Sequence, residues 1–208
     1  MEMKENYQRM MEAQLAAFAE KGRRPRLLLH GCCAPCSSYV LEYLYEKTDI
    51  TMFFYNPNIS PESEFLHRAG ELVRLITETG REVPVIRPPY DPAPFAQIAQ
   101  GLENEPEGGQ RCYRCYALRL RETAACAAQK GFDFFTTTLS ISPHKNAAWL
   151  NEIGKRLEAE YGVAYLYADF KKNDGYKRSI ELSRQYHLYR QDYCGCSYSK
   201  AARQAASR

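Results

Sequence analysis

The cysteines of this chain are the residues best suited to chemistry, and seven of the eight occur in three close groups. The groups are Cys32, Cys33 and Cys36; Cys112 and Cys115; and Cys194 and Cys196. Thiols grouped in this way bind metal ions or carry out redox reactions. The remaining cysteine, Cys126, lies among alanines in a predicted helix, and we interpret it as a small core residue without a role.

Four of these thiols could hold a metal centre. Cys112 and Cys115 are three residues apart at the predicted start of a helix, so their sulfurs share one face. A helix N-terminus favours the thiolate, which is the form that binds metal. With the adjacent pair Cys32 and Cys33 they supply enough thiolates for a [4Fe-4S] cluster or for Zn²⁺. An adjacent pair is less usual around tetrahedral zinc, but the residues alone leave both metals open.

The third group consists of Cys194 and Cys196, and a single glycine separates these two cysteines. A disulfide across so short a spacing would be strained and easily reduced, which suits a catalytic redox pair. The alternative is that this pair binds a second metal ion together with Cys36.

The composition limits the class of protein. The chain has 208 residues, 45% of them hydrophobic, which suits one domain with a real core. A net charge of +3 permits an acidic partner such as nucleic acid without requiring one. No apolar run approaches the ~20 residues of a membrane span, and the N-terminus lacks the apolar core of a signal peptide. We therefore expect a cytoplasmic protein, in which cysteines serve as ligands or catalytic thiols.

Apolar runs and helix-period segments alternate along the chain, which predicts an α/β fold with five parallel strands and helices on both faces. Strands are predicted at 27–30, 50–55, 83–86, 132–139 and 163–167. Helices are predicted at 3–21, 37–47, 61–79, 91–100, 112–130, 142–161, 175–186 and 199–208. Ser60 is the expected N-cap of the third helix, and Gly131 the expected C-cap of the fifth. We expect a helical extension at 1–24 and a single domain at 25–208.

This topology gives the thiols a common position. The first predicted strand, Leu27 to His30, runs directly into Cys32 and Cys33, with Cys36 in the same turn before the helix. Turns that follow parallel strands lie at the carboxyl edge of the sheet, where ligands bind in open α/β folds. We therefore expect the thiols to converge at that edge.

Five motifs occur together in a fixed order. They are Cys-Cys-Ala-Pro-Cys (32–36), Phe-Tyr-Asn-Pro-Asn-Ile (54–59), Arg-Cys-x-x-Cys (111–115), Thr-Thr-Thr-Leu-x-x-Ser-Pro-x-Lys-Asn (136–146) and Tyr-Arg-Gln-x-Tyr-Cys-Gly-Cys (189–196). With these motifs the chain resembles the QueH type of epoxyqueuosine reductase, over about residues 26–199. The resemblance implies reduction of epoxyqueuosine to queuosine at the wobble position of tRNA, with electrons from a low-potential donor.

The resemblance also implies roles for the thiols. Cys32, Cys33, Cys112 and Cys115 would be the ligands of a [4Fe-4S] cluster, and Cys194 and Cys196 would form a redox-active disulfide. A second metal ion, iron or zinc, would lie beside the cluster, with Cys36 as a candidate ligand. The implied fold is the Rossmann-like fold of nucleotide α-hydrolases (HUP class). Those enzymes carry a Ser-Gly-Gly-x-Asp-Ser loop after the first strand, and this chain has His30-Gly31-Cys32-Cys33 there, so we expect no use of ATP.

Other residues are candidates for the substrate site. For the proton donor they are His30, Asp192 and Tyr193. For a basic rim that binds tRNA phosphates they are Arg111, Arg114, Arg119, Lys145, Lys171, Lys172, Lys177 and Arg178. For stacking on anticodon bases they are Tyr55, Tyr113, Tyr167, Tyr176 and Tyr193. For the pocket wall they are Asn56, Asn58, Arg68 and Asn146. His67 and His187 are not expected to be ligands.

Two other functions fit the same thiols. One is a nucleic-acid-binding module in which the four cysteines hold a structural zinc ion. The other is a cytosolic thiol–disulfide oxidoreductase that uses the C-x-x-C or the C-x-C pair. Metal content separates them, because only the reductase would be brown, with about four irons per chain.

Overall fold

The computed structural model of the chain describes residues 5–206. Strands and helices alternate through most of this range, as the sequence predicts. In chain order the elements are α1 (Tyr7–Ala19), β1 (Arg26–His30), α2 (Ala34–Leu44), β2 (Asp49–Phe53), α3 (Glu62–Glu78), β3 (Val85–Ile86), α4 (Ala93–Ala99), α5 (Gln110–Lys130), β4 (Phe134–Thr137), a 3-10 helix (Thr138–Ile141), α6 (Ala147–Tyr161), β5 (Ala164–Tyr165), α7 (Gly175–Gln185) and α8 (Ser197–Ala206).

The five strands form one parallel sheet in the order β3-β2-β1-β4-β5. Leu28 of β1 is in register with Thr51 on one side and Phe135 on the other. The chain builds outward from β1 in one direction and then continues from β4 in the other. The carboxyl ends of β1 and β4 therefore border the crevice at which such folds bind ligands. The predicted fold class is confirmed.

Helices cover both faces of the sheet because the central strand is apolar on both sides. Leu27 and Leu29 pack with residues of α1, α2 and α3, whereas Leu28 packs with residues of α5 and α6. All three leucines are fully buried. β1 is thus held from both faces, which gives the cysteines that follow it a rigid base.

Several boundaries differ from the prediction, and two of them affect the site. α2 begins at Ala34, not at residue 37, because Pro35 fits the first helical turn, where its missing N–H is not needed. Cys36 therefore lies on a helix instead of in a turn. α6 begins only at Ala147, and the Asn146 side chain caps it by accepting a 3.1 Å hydrogen bond from the Trp149 N–H. The predicted start of this helix at residue 142 is wrong.

The ends of other elements also shift. β4 stops at Thr137, and the next four residues form a 3-10 helix instead of continuing the strand. The N-cap of α3 is Pro61 and not Ser60. Gly131 ends α5 in the left-handed conformation, with φ of 66°, as predicted. The predicted helix ends at residues 3–4 and 207–208 lie outside the described residues.

α1 lies against the sheet through Met11 and Leu15, which are part of the larger core. Its Gln14 side chain donates a 2.8 Å hydrogen bond to the Tyr165 carbonyl and accepts one of 3.1 Å from the Tyr167 N–H. No helix within residues 5–206 has the length and apolar content needed to cross a membrane.

Candidate metal and redox site

Three thiols converge where β1 ends. Cys32 and Cys33 follow the strand directly, and Cys36 lies in the first turn of α2. The three sulfurs all lie within 4.8 Å of one another, and those of Cys32 and Cys33 are 3.7 Å apart. Thr138, which follows β4, donates its hydroxyl to the Cys32 sulfur at 3.7 Å. The group therefore occupies the crevice between β1 and β4.

Gly31 allows the chain to turn at this point. A side chain there would collide with the end of the Met52 side chain on β2. The Gly31 N–H donates to the Phe53 carbonyl at 3.0 Å, and its carbonyl accepts from the Asn56 side chain at 2.9 Å. The backbone is thus fixed just before the first cysteine.

The three thiols differ in their pKa values. Hydrogen bonds from Cys33 and Cys36, helped by Arg119 and Thr138, hold the pKa of Cys32 well below its ordinary value. The hydrogen bond with Cys32, together with burial, raises the pKa of Cys33 to about 12, and the same contacts raise that of Cys36. Cys32 is therefore the thiol of the group that ionises first. Metal binding would displace the protons of the other two.

A buried guanidinium accompanies these thiols. The Arg119 side chain, from α5, is 1% exposed, donates to the Asn56 side chain and to Cys115, and lies near Cys32. Burial alone would lower the pKa of Arg119, but the sulfurs of Cys115 and Cys32 raise it, so the group stays charged. Within residues 5–206 no carboxylate pairs with it. The Cys32 sulfur, whose pKa is lowered, can supply the negative charge that such a buried cation needs.

His30 is buried beneath this group and is neutral. Burial and the charge of Arg119 lower its pKa to about 3. Its Nδ1 lies 2.8 Å from the Thr137 hydroxyl, and its Nε2 lies 3.1 Å from the Tyr55 carbonyl. These contacts join β1 to β4 and to the segment that follows β2. His30 borders neither of the two cavities described below, and its lowered pKa leaves it without a charge near pH 7, so the structure disfavours it as the proton donor.

The second pair of cysteines lies in the first two turns of α5. Cys112 accepts a 3.3 Å hydrogen bond from the Gly108 N–H. Burial raises the pKa of Cys112, and it raises that of Cys115 to about 12. The expected favouring of thiolates by the helix N-terminus is therefore outweighed by burial. Cys112 and Cys115 would need a bound metal to hold them as thiolates.

Cys194 lies between the two groups. It borders a cavity of about 520 Å³ that is also lined by Cys32, Cys33 and Cys36. It also borders a narrow second cavity, whose other thiols are Cys112, Cys115 and Cys196. The three groups thus meet at adjoining cavities. That Cys32, Cys33, Cys112 and Cys115 act together as one ligand set stays a prediction.

The C-x-C segment is held in a defined turn. Gly195 has φ of +114°, and a side chain there would lie 3.0 Å from Arg68 and 3.1 Å from Ile59. The Gly195 carbonyl accepts from the Ser60 N–H at 3.0 Å, and the Cys194 carbonyl accepts from Arg68 at 3.2 Å. All eight cysteines are free thiols. The disulfide between Cys194 and Cys196 therefore stays a prediction.

Lys145 contacts Cys194 in the wall of the larger cavity. Its ammonium is 3.2 Å from the Cys194 sulfur and 3.2 Å from a Glu107 carboxylate oxygen. The Ser199 hydroxyl donates to Glu107 at 2.8 Å and accepts from the Cys194 N–H at 3.0 Å. The sequence placed Lys145 on an exposed rim, and it gave no signal for Glu107 or Ser199. These residues lie in separate parts of the chain, and only the fold brings them together.

The remaining candidates divide into three groups. Some line the larger cavity: Arg68, Lys145, Tyr176, Asp192 and Tyr193, joined by His144, Arg190 and Gln191, which the sequence analysis missed. Some hold other residues in place: Arg111, Lys171, Arg178, Asn56, Tyr113, Tyr167 and Asn146. Others are exposed away from both cavities: Arg114, Lys172 and Lys177.

Four candidates need separate comment. Asn146 caps α6 and lies outside both cavities, so its predicted place in the pocket wall is wrong. Asn58 borders the narrow cavity. His67 packs edge-on against a tyrosine ring, and neither it nor His187 borders either cavity.

Comparison with known proteins connects this site to one family. The sequence model for epoxyqueuosine reductase QueH matches residues 27–202. The epoxyqueuosine reductase QueH of Streptococcus pyogenes is 44% identical, over 93% of this chain and 78% of that protein. The protein of the same name from Staphylococcus epidermidis is 43% identical, over 93% of this chain and 84% of that protein. The epoxyqueuosine reductase QueH of Thermotoga maritima is 34% identical, over 83% of this chain and 89% of that protein.

A solved structure shares the fold at much lower identity. It is the U34-tRNA thiolase NcsA from Methanococcus maripaludis with its [4Fe-4S] cluster, with a TM-score of 0.51 and 13% identity. The match covers 93% of this chain and 68% of that one, and at this identity it supports the fold alone. The family model spans the segments that carry the three groups of thiols. On this basis the chain belongs to the epoxyqueuosine reductase QueH family.

Proposed function

We propose that this chain reduces epoxyqueuosine to queuosine at the wobble position of tRNA. Residues 25–208 would form the reductase domain, with a helical extension at 1–24, acting in the cytoplasm without ATP. One observation carries the proposal beyond family membership. The thiols of Cys32, Cys33 and Cys36 and the sulfur of Cys194 line the same cavity of about 520 Å³, which places candidate metal ligands and a candidate redox thiol around one space.

The chemistry requires electrons, protons and a way to release oxygen. Both C–O bonds of the epoxide break, a C=C bond forms, and the oxygen leaves as water, which takes two electrons and two protons. A [4Fe-4S] cluster on Cys32, Cys33, Cys112 and Cys115 would supply single electrons, and a second metal, iron or zinc, near Cys36 would supply a Lewis acid.

The charges around the cavity support a cluster. A cluster held by four thiolates is negatively charged, so it suits a site lined with buried cations. Arg119 is buried among the thiols without a carboxylate partner in the described part of the chain. The Nη2 atom of Arg68, also at the cavity, is buried and has no hydrogen-bond acceptor. Both guanidinium groups fit a negatively charged occupant.

Cys194 and Cys196 would act as the redox pair. Oxidation of the two thiols to a disulfide releases two electrons and two protons, the number that the epoxide consumes. A low-potential electron donor would then restore the dithiol.

The cavity also offers surfaces for the nucleotide. Tyr176 and Tyr193 line it and suit stacking on bases, and Arg190 and His144 lie on its wall. Charge contacts to phosphates make binding depend on salt. We expect the affinity for tRNA to fall linearly with salt on logarithmic axes. A flat dependence would contradict the basic rim.

The test is direct. The chain is purified without oxygen and incubated with tRNA that carries epoxyqueuosine and with a chemical reductant. The tRNA is then digested, and its nucleosides are measured by mass spectrometry. We expect queuosine from the wild type and from Cys126→Ser, and none from Cys32→Ser. Brown protein with about four irons per chain is expected in the first two.

Each alternative function predicts a different outcome. Colourless protein with one zinc ion, which binds tRNA without converting it, would favour the zinc-stabilised nucleic-acid-binding module. Metal-free protein that acts only on small disulfides would favour the thiol–disulfide oxidoreductase.

A further inference from the structure

The two cysteines of the proposed redox pair occupy different environments. Cys194 is partly exposed and borders the larger cavity. Cys196 is 8% exposed, packs against Phe95 and Cys115, and does not border that cavity. Cys194 is therefore the sulfur that faces the larger cavity, and Cys196 is the interior thiol of the pair.

Lys145 is the cation beside Cys194, and it too is buried. Its residue is 9% exposed, and its ammonium lies 3.2 Å from both the Cys194 sulfur and Glu107. Burial alone would lower the pKa of Lys145, but Cys194, Tyr116 and Glu107 raise it overall. An ammonium has three donors, and two are used by these contacts. The third N–H is available to a molecule in the cavity that Lys145 lines.

We propose that Lys145 is the proton donor to the epoxide oxygen and that it forms an ion pair with the thiolate of Cys194 until the pair is oxidised. This inference rests on the proposed function. Two of the other candidates, His30 and Asp192, fit less well. His30 is neutral and lies outside the cavity lining, and the exposed Asp192 side chain is an anion paired with Arg203 at 2.9 Å.

The reaction balances with these residues. The Cys194 thiolate and the Cys196 thiol form an S–S bond, releasing two electrons and the Cys196 proton. The electrons reduce the epoxide, both C–O bonds break, and a C=C bond forms. The oxygen takes the Cys196 proton and one proton from the Lys145 ammonium and leaves as water. The charges of the Cys194 thiolate and of the Lys145 ammonium disappear together.

The same geometry couples the electron and proton transfers. While Cys194 is a thiolate, its charge stabilises the Lys145 ammonium at 3.2 Å. Disulfide formation removes that charge and leaves a buried ammonium with Glu107 as its remaining partner. An alkoxide formed on C–O cleavage is also a stronger base than a lysine amine. Lys145 therefore gives up its proton most readily when the pair has given up its electrons.

Two substitutions separate the charge of Lys145 from its proton. Lys145→Met removes both, whereas Lys145→Arg keeps the charge on a group that does not release its proton at ordinary pH. Lys155→Met is the matched control, because Lys155 is exposed on α6 and lines neither cavity. Reduced holoenzyme is used throughout, without oxygen. One readout is the rate of iodoacetamide alkylation at Cys194, mapped by mass spectrometry. The other is single-turnover conversion of epoxyqueuosine in tRNA.

We expect Lys145→Met to slow both reactions. Lys145→Arg should restore alkylation of Cys194 to near the wild-type rate and leave conversion slowed by roughly 100-fold, the lower end of general acid catalysis. Lys155→Met should match the wild type in both. Conversion at the wild-type rate by Lys145→Arg would overturn the proton-donor role, and faster alkylation of Cys196 than of Cys194 would overturn the ion pair.

Two further results still distinguish failure of the proton-donor role from misfolding of a variant and from failure of the proposed function. If Lys145→Met does not fold, as judged by cluster absorbance, the comparison of Lys145→Arg with wild type decides the matter. If the wild type does not convert epoxyqueuosine, the proposed function fails and the proton-donor role fails with it. An active wild type with an equally active Lys145→Arg refutes this inference alone.

Discussion

The Nε atom of Arg119 lies 3.3 Å from Nε2 of His30, and both side chains are almost completely buried. The contact joins α5, which carries Cys112 and Cys115, to β1, which leads into Cys32 and Cys33. Because His30 is neutral, it does nothing to offset the guanidinium charge. That charge acts on the sulfurs instead, and it links the two pairs of proposed cluster ligands.

Replacement of Arg119 should therefore change the reduction potential of a bound cluster. Arg119→Met keeps the length of the side chain and removes its charge, which makes a negative cluster harder to reduce. We expect a potential lower by roughly 60 mV, which corresponds to about 1.4 kcal/mol for one electron. A redox titration followed by visible absorbance measures it. Arg121→Met, an exposed position on the same helix paired with Glu160, should leave the potential unchanged. A lower reduction potential of the cluster in both variants would contradict the specific effect of the Arg119 charge.

The cysteines should divide between two metals. Cys112→Ser is expected to abolish the brown colour and most of the iron, because a [4Fe-4S] cluster needs all four thiolates. Cys36→Ser should keep the colour and lose about one metal ion per chain. Metal analysis and absorbance of protein purified without oxygen test this, with Cys126→Ser as the control. Loss of the cluster in Cys36→Ser and its retention in Cys112→Ser would assign Cys36 to the cluster instead.

Gly195 should tolerate no side chain. Alanine there would be strained by φ of +114° and would press on Arg68 and Ile59. We expect Gly195→Ala to lower the free energy of unfolding by about 1–3 kcal/mol and to slow conversion of epoxyqueuosine, since it displaces Cys194. Gly22→Ala is the matched control. It also has positive φ, of +64°, but has open space around it, so it should cost about 1 kcal/mol and leave conversion unchanged. Equal losses of activity in the two variants would contradict this explanation.

Glu71 should make stability depend on acid pH. Hydrogen bonds from Arg74, followed by that from the Tyr189 N–H at 3.0 Å, lower its pKa to about 2 from an ordinary 4.5. A group with a lowered pKa stabilises the fold above the unfolded value, and the contribution is lost as the pH falls through the folded value. We expect Glu71→Gln to be less stable than wild type by about 1 kcal/mol above pH 4.5, with the difference shrinking toward pH 2.

Urea unfolding at pH 6 and pH 3 tests this prediction. Glu78→Gln removes the other carboxylate partner of Arg74 and keeps the bond to the Tyr189 N–H, so it controls for the loss of an ion pair. A wild-type advantage over Glu71→Gln that stays constant from pH 6 to pH 3 would contradict the role of the carboxylate.

The sequence by itself determined the fold class, the order of strands and helices, and the family. The reason is that these depend on local patterns. A continuous apolar strand such as Leu27 to Leu29 predicts burial on both faces, and Gly131 marks a helix end. The spacing of the seven grouped cysteines likewise needs no coordinates to be recognised.

Only the tertiary structure decided which groups meet. Lys145 is far from Cys194 along the chain, and the sequence indicated only a cation on a basic rim. The fold nevertheless buries its ammonium 3.2 Å from the Cys194 sulfur. Arg119 likewise had no sequence signal for burial among thiols. Contacts of this kind depend on how β1, α5 and the C-x-C segment pack, and so do the pKa values of the cysteines. Desolvation is a property of the assembled site, and it outweighed the local effect of the helix N-terminus at Cys115.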